Sequence, residues 1–169
     1  MAKSAKRETG KKSDGEPVIE NITRNRRATF DYEVLDAIEC GLVLVGTEVK
    51  SLREGHASLD EAFGRIDNNN EVWLVNAEIP EYLFGNRLNH KPKRERKLLL
   101  RKSEIAKFAG KADQRGYTLV PLRMYFKDGR AKVELAVAKG KQVHDKRESI
   151  KSADAKRDIA QAMTRKRKA

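Results

Sequence analysis

Residues 117–139 read YTLVPLRMYFKDGRAKVELAVAK, and this stretch decides the fold. Asp128-Gly129 stands between two arms rich in β-branched, aromatic and leucine side chains. An Asp-Gly pair supplies the positive φ angles that a two-residue hairpin turn needs. In the second arm Val133, Leu135 and Val137 face one way while Lys132 and Glu134 face the other, the period of a strand with one buried side. Pro121 has no backbone donor, which puts it at an edge or a bulge.

Upstream of this hairpin, Gly116 ends a segment in which Ile105, Phe108, Ala109 and Ala112 recur at helical spacing behind Ser103, a candidate cap. Phe63–Ile66 and Val72–Val75 flank Asp67-Asn68-Asn69-Asn70, residues that tolerate left-handed backbone, so a second hairpin is predicted. Ser58 with Glu61 three residues on predicts the start of a short helix. The apolar run 42–45, continued by Gly46-Thr47-Glu48-Val49, reads as a strand buried on both faces or bent at Gly46. From Phe30, Tyr32 and Val34 alternate with charged residues as on a half-buried strand. Residues 76–89 contain Pro80 and Gly85 and read as a loop. Five or six short strands and two short helices make a mainly β chain. The economical architecture is an oligonucleotide-binding (OB)-fold-like β-barrel with short accessory helices and flexible basic tails.

The 169 residues carry a net charge of +12, and its placement is informative. Residues 1–27 hold eight basic and four acidic side chains, residues 139–169 eleven and four, and the stretch between them eighteen and seventeen. A nearly neutral body therefore carries two cationic ends, which attract polyanions in a salt-dependent way. The division predicted is a disordered extension over 1–21, a barrel over 22–139 and a basic tail over 140–169. Within the body, residues 87–102 hold eight basic residues and one acid, Glu95. Such a run is either a solvated loop or a nucleic-acid contact, and the cationic ends favour the second.

Catalytic and metal chemistry find no support. No phosphate-cradling glycine motif is present, His56, His90 and His144 have no metal-ligand spacing, and no set of carboxylates pairs as acid and base. Cys40 precedes an apolar run and reads as a buried thiol rather than a nucleophile. No enzyme activity, cofactor or metal is expected. No apolar stretch approaches the ~18 residues of a membrane span and Met1 is followed by a polar, basic segment, so a cytoplasmic protein with no membrane partner is expected.

Five segments, in order, are similar to the SsrA-binding protein (small protein B) family. They are residues 25–28 (NRRA) with 31–34 (DYEV), 39–53 (ECGLVLVGTEVKSLR), 90–100 (HKPKRERKLLL), 116–122 (GYTLVPL) and 138–147 (AKGKQVHDKR). The resemblance implies a barrel that grips the transfer-RNA-like domain of transfer-messenger RNA (tmRNA, or SsrA RNA). It implies delivery with elongation factor Tu and aminoacylated tmRNA to a stalled 70S ribosome for trans-translation, without bond chemistry by the protein. The tmRNA-gripping positions it implies are Glu39, Leu99 and Lys132, with Arg94, Arg96 and Lys97 neutralising phosphates. It further implies that Gly140, His144, Asp145, Lys146 and Arg147 reach the ribosomal decoding centre, with Lys156 and Arg157 in the messenger channel. The tail shows only a thin apolar face of Ile150, Ala153, Ile159, Ala160 and Met163, so it is expected to be disordered when free and helical on the ribosome. Cys40 stands where family members commonly carry alanine. The segment before Ile22 matches no family motif.

Overall fold

A computed structural model describes residues 17–85, 88–112 and 114–142, and isolated positions 147, 150, 151, 154, 155, 157, 159 and 163. Ten elements follow in chain order: β1 (Ile19–Arg24), α1 (Arg26–Asp31), β2 (Tyr32–Leu42), α2 (Gly46–Arg53), β3 (Phe63–Ile66), β4 (Val72–Val75), β5 (Arg96–Leu99), α3 (Lys102–Ala112), β6 (Tyr117–Lys127) and β7 (Arg130–Gly140). The expectation of a mainly β chain with short helices holds: seven strands and the helices α1–α3 are described, with further helical positions between 147 and 163.

The hairpin that opened the sequence reading forms as expected. Asp128 and Gly129 both have positive φ (49° and 75°), the signature of a type I′ turn, and β6 pairs β7 from Lys127↔Arg130 to Tyr117↔Lys139. Pro121 sits at a register shift in β6, so its missing donor falls in a bulge. The pairings run antiparallel from β6 through β3, β4, β5, β2 and β7 and back to β6, closing a ring of six strands. β1 adds outside that ring, on β6. The β3–β6 junction is a single pair, Gly64↔Leu119. A Cβ on Gly64 would stand 2.8 Å from Leu119 Cβ and 3.1 Å from Leu135 Cδ1, so the two strands meet there only because that residue has no side chain.

The interior is filled by Leu74, Leu98, Met124, Val133, Leu135 and Val137, all at most 2% exposed, with Phe108 of α3 packed against them. Cys40 lies in the same core, and burial pushes its thiol up to about 12, as a buried thiol rather than a nucleophile would have it. Outside the ring, α1 covers one end of the β6–β7 sheet by placing Ala28 against Val120 and Ala138. Asn25 caps α1, its Oδ1 accepting the Ala28 N–H at 2.9 Å while its Nδ2 donates to Leu59 O.

Four expectations need correction. The segment 42–49 is not one strand: β2 ends at Leu42 and α2 begins at Gly46. Val45 has no polar side chain to cap that helix, but the Glu48 carboxylate accepts its N–H at 2.9 Å, half of a capping box. Phe30 belongs to α1 rather than to the strand that starts at Tyr32. Ser58 starts no helix, because its backbone pairs with Glu78 and its hydroxyl turns to Asp60. The extension expected to be disordered over 1–21 holds Ile19 to Asn21 of β1, paired to β6 outside the ring. The expected disorder of residues 1–16 lies outside the described residues.

Candidate nucleic-acid interface

Strand pairing builds one row across the outer face of the barrel. Leu99 on β5 pairs with Gly41 on β2, Gly41 with Lys132 on β7, and Lys132 with Tyr125 on β6. Directly paired residues point the same way, so Leu99, Lys132 and Tyr125 share this face. Gly41 leaves the row open, since a Cβ there would stand 3.2 Å from Leu99 Cβ. Leu99 is 54% exposed, which makes it a surface leucine and not a core one. Glu39, two residues before Gly41, faces the same way and joins the row from β2.

Three donors converge on the Glu39 carboxylate. Tyr125 donates its hydroxyl at 2.6 Å, the Lys127 ammonium lies at 3.1 Å and the Lys132 ammonium at 3.5 Å. The Tyr125 hydrogen bond, then the two lysines, hold Glu39 below its ordinary value, while burial and the carboxylate raise the Tyr125 phenol. Arg123 stacks on the Tyr125 ring at 4.9 Å and pairs with Glu134. Two carboxylates thus order three cations on a strand-built, rigid surface. Sequence reasoning placed Lys132 and Glu39 here but missed Tyr125, Arg123 and Lys127. Their signal was the alternation of β6, in which these three interleave with the core residues Met124 and Phe126, although Tyr125 is itself only 3% exposed beneath Arg123.

The basic run 87–102 is corrected in one respect. Arg96 is fully buried and cannot meet a phosphate. Its guanidinium donates to Glu48 Oε1 at 2.9 Å, to Ala77 O, to Arg94 O and to Pro92 O, so each of its three nitrogens is engaged. Arg94 forks onto the same Glu48 with Nε at 3.2 Å and a terminal nitrogen at 2.8 Å, its side chain 37% exposed. Lys97 pairs with Glu71 and Lys93 with Glu61. Four of the run's eight cations are thus engaged by three carboxylates of the chain itself, and Arg94 and Arg96 tie the segment before β5 to α2.

Gly140 ends β7 opposite Tyr32, and the next residue is anchored. Lys141 donates its backbone N–H to Asp31 O at 2.9 Å and its ammonium to Thr29 O at 3.0 Å, so the tail leaves the barrel against α1. Arg147 and Arg157 are helical and exposed, and Arg157 lies 3.6 Å from Asp154. Ile150, Ile159 and Met163 of the thin apolar face are helical and 46%, 57% and 68% exposed. His144, Asp145, Lys146 and Lys156 lie outside the described residues. Among the described residues no cluster of His, Cys, Asp or Glu could hold a metal ion, and no helix is long and apolar enough to cross a membrane.

Comparison with known proteins gives the family. A family model described as SmpB protein matches residues 22–165. The SsrA-binding protein of Saccharopolyspora erythraea is 56% identical over 147 residues, covering 87% of this chain and 92% of that one. That of Thermobifida fusca is 53% identical over 157 residues, covering 93% and 98%. A solved structure described as "tmRNA-SmpB: a journey to the center of the bacterial ribosome" is similar with a TM-score of 0.62 and 45% identity, covering 76% of this chain and 93% of its own.

Proposed function

This chain belongs to the SmpB family, and from that premise we propose that it is the RNA-binding adaptor of trans-translation in its cell. It binds the transfer-RNA-like domain of tmRNA and brings it, with elongation factor Tu, to stalled 70S ribosomes in the cytoplasm. It breaks and forms no bonds. Its barrel stands in for the anticodon arm that the transfer-RNA-like domain lacks, and its basic tail occupies the decoding centre and the empty messenger channel.

One observation carries the reading. The face that unites Leu99, Lys132 and Glu39 is solvent-facing, cationic and built on strands, so it offers phosphate contacts and an apolar contact in fixed geometry. Lys132 and Lys127 meet phosphates, and Leu99 packs on an unstacked base or a ribose. Glu39 already accepts the Tyr125 hydroxyl and the Lys127 ammonium and forms an ion pair with Lys132, which makes it the residue that aims these lysines rather than a direct reader of RNA. Arg94 and Arg96 act as struts under the surface.

The test is to isolate the protein from its native lysate and sequence the RNA that accompanies it. One dominant RNA with a transfer-RNA-like end and a short reading frame is expected. Ribosomal RNA alone, retained through a high-salt wash, would refute the adaptor reading. Deleting the residues after Lys151 is expected to spare binding to the transfer-RNA-like domain and abolish tagging. Equal loss of both would overturn the division of labour between barrel and tail.

A further inference from the structure

The connection between β4 and β5 carries the most exposed apolar side chains among the described residues. Leu83 is 84% exposed, Phe84 82% and Leu88 93%. Single exposed leucines are ordinary, but three large apolar groups on one loop mark a contact surface. The described residues on both sides of 86 and 87 are tied to one another. The Asn89 amide closes the loop, donating to Tyr82 O at 2.8 Å and accepting Tyr82 N–H at 3.3 Å, and Gly85 N–H adds a bond to Tyr82 O at 2.7 Å. A Cβ on Gly85 would stand 2.5 Å from Asn89 Nδ2 and 2.8 Å from Tyr82 O, so the turn requires glycine. Its base is fastened to α2 by Ser51 Oγ donating to Pro80 O at 2.8 Å, and by His90, whose ring bridges Thr47 and Ile79 O. Polar bonds at the base hold the apolar tip away from the core.

The tip's chemistry narrows its partner. Tyr82 and Phe84 meet edge to face with centroids 5.7 Å apart, and the Lys50 ammonium lies 5.3 Å from the Tyr82 ring centre. Between residues 79 and 94 the sequence has one acid, Glu81, against four bases. Of those bases Lys93 and Arg94 are engaged by Glu61 and Glu48, while Lys91 makes no ion pair among the described residues. An exposed aromatic ring beside available ammonium groups fits an unpaired nucleotide, whose base stacks and whose phosphate is neutralised. A neutral apolar groove on a protein would suit the leucines but gains nothing from the cations.

We propose that the Tyr82–Phe84 tip is a second RNA contact, separate from the Leu99–Lys132 face, which stacks an unpaired base on Phe84 and meets its phosphate with Lys50 and Lys91. The inference rests on the RNA-binding reading above. The base is assigned to the RNA the protein carries, because the loop leads into β5, which bears Leu99 of the proposed RNA face; ribosomal RNA is the outcome that would overturn this.

The full-length chain is made with Phe84→Ala, Phe84→Leu and Phe84→Trp, each first checked for an unchanged urea midpoint. Filter binding is then measured in one arm with a transcript of the tmRNA transfer-RNA-like domain and in the other with purified 70S ribosomes. Stacking predicts that Trp retains transcript binding while Ala and Leu lose roughly 5- to 100-fold there, and a loss confined to the ribosome arm would overturn the proposal. Lys132→Gln is the control in the transcript arm. If it weakens binding while Phe84→Ala moves neither arm, the loop inference is overturned and the RNA face stands. If Leu binds as well as Phe while Ala does not, the contact is apolar without stacking and the proposal is wrong. If Lys132→Gln also leaves the transcript arm unchanged, the RNA-face reading falls and the loop inference with it.

Discussion

Replacing Glu48 with glutamine keeps the side chain's shape and removes its charge at the one place where a fully buried cation depends on it. Glu48 and Arg96 are both 0% exposed, and the carboxylate also receives Arg94 and the Val45 N–H. In Glu48→Gln the amide's NH2 faces guanidinium donors and Arg96 is left without a counter-charge, a loss of about 3–5 kcal/mol. Arg94, still partly exposed, recovers water and adds little. With a urea dependence of about 2 kcal/mol/M for a domain this size, the midpoint should fall by roughly 1.5–2.5 M. Restoring neutrality with Glu48→Met plus Arg96→Met should not recover stability, because the carbonyls of Ala77, Arg94 and Pro92 lose their donor. The pH dependence gives an independent check. Burial raises the Glu48 carboxyl, but the Arg94 hydrogen bond, the Val45 N–H and the field of both arginines reverse that and leave it below its ordinary value. A carboxyl depressed on folding contributes its full stability above its unfolded pKa of about 4.3 and loses it as pH falls through the folded value. The native midpoint should therefore drop more steeply below about pH 4 than that of Glu48→Gln. A variant less than about 1 kcal/mol weaker than the native chain, with the same acid slope, would refute the strut reasoning.

Lys132→Gln should weaken binding of the transfer-RNA-like domain several-fold and reduce the slope of log K against log salt by about one, measured by filter binding across a salt series; an unchanged slope would remove Lys132 from the phosphate contacts. Leu99→Ala, at a half-exposed position, should move the urea midpoint little while lowering RNA affinity measurably, and a stability loss as large as that of a core leucine would contradict its place on the surface. Gly64→Ala should cost about 1–3 kcal/mol because its methyl meets Leu119 and Leu135 at the single β3–β6 pair, which denaturation at constant m-value will read.

Local signals were legible and distant partners were not. Asp128-Gly129 dictates its turn with two residues, and the hairpin around Asn70 needs only that loop's tolerance for positive φ. The helix α2 was hidden because Val45 gives no capping signal, and the side chain that starts the helix, Glu48, is held by arginines 46 and 48 residues away. Ser58 carried a capping pattern that a backbone bridge to Glu78 overrides. In the interface, Leu99, Lys132 and Glu39 entered through resemblance, and the strand register puts them on one face. Arg96 read as one more surface cation in a basic run, since nothing in its neighbours announces a buried acceptor. Tyr125 was an ordinary strand aromatic until Glu39 arrived from β2.

Strand β7 runs from Arg130 to Gly140 without skipping a residue in either pairing, the irregularities falling on β2 and β6 instead. It is thus a ruler laid between Lys132 on the proposed RNA face and Gly140, where the strand ends. Eight residue steps at about 3.3 Å make that interval about 26 Å. Lys141, pinned to Thr29 and Asp31, fixes the heading as well as the distance. A one-residue insertion within β7 would shift the tail's root by about 3 Å and turn one side of the insertion to the opposite face. Spacing between the two working ends is quantised by the pleat, so reach can be tuned only beyond Lys141.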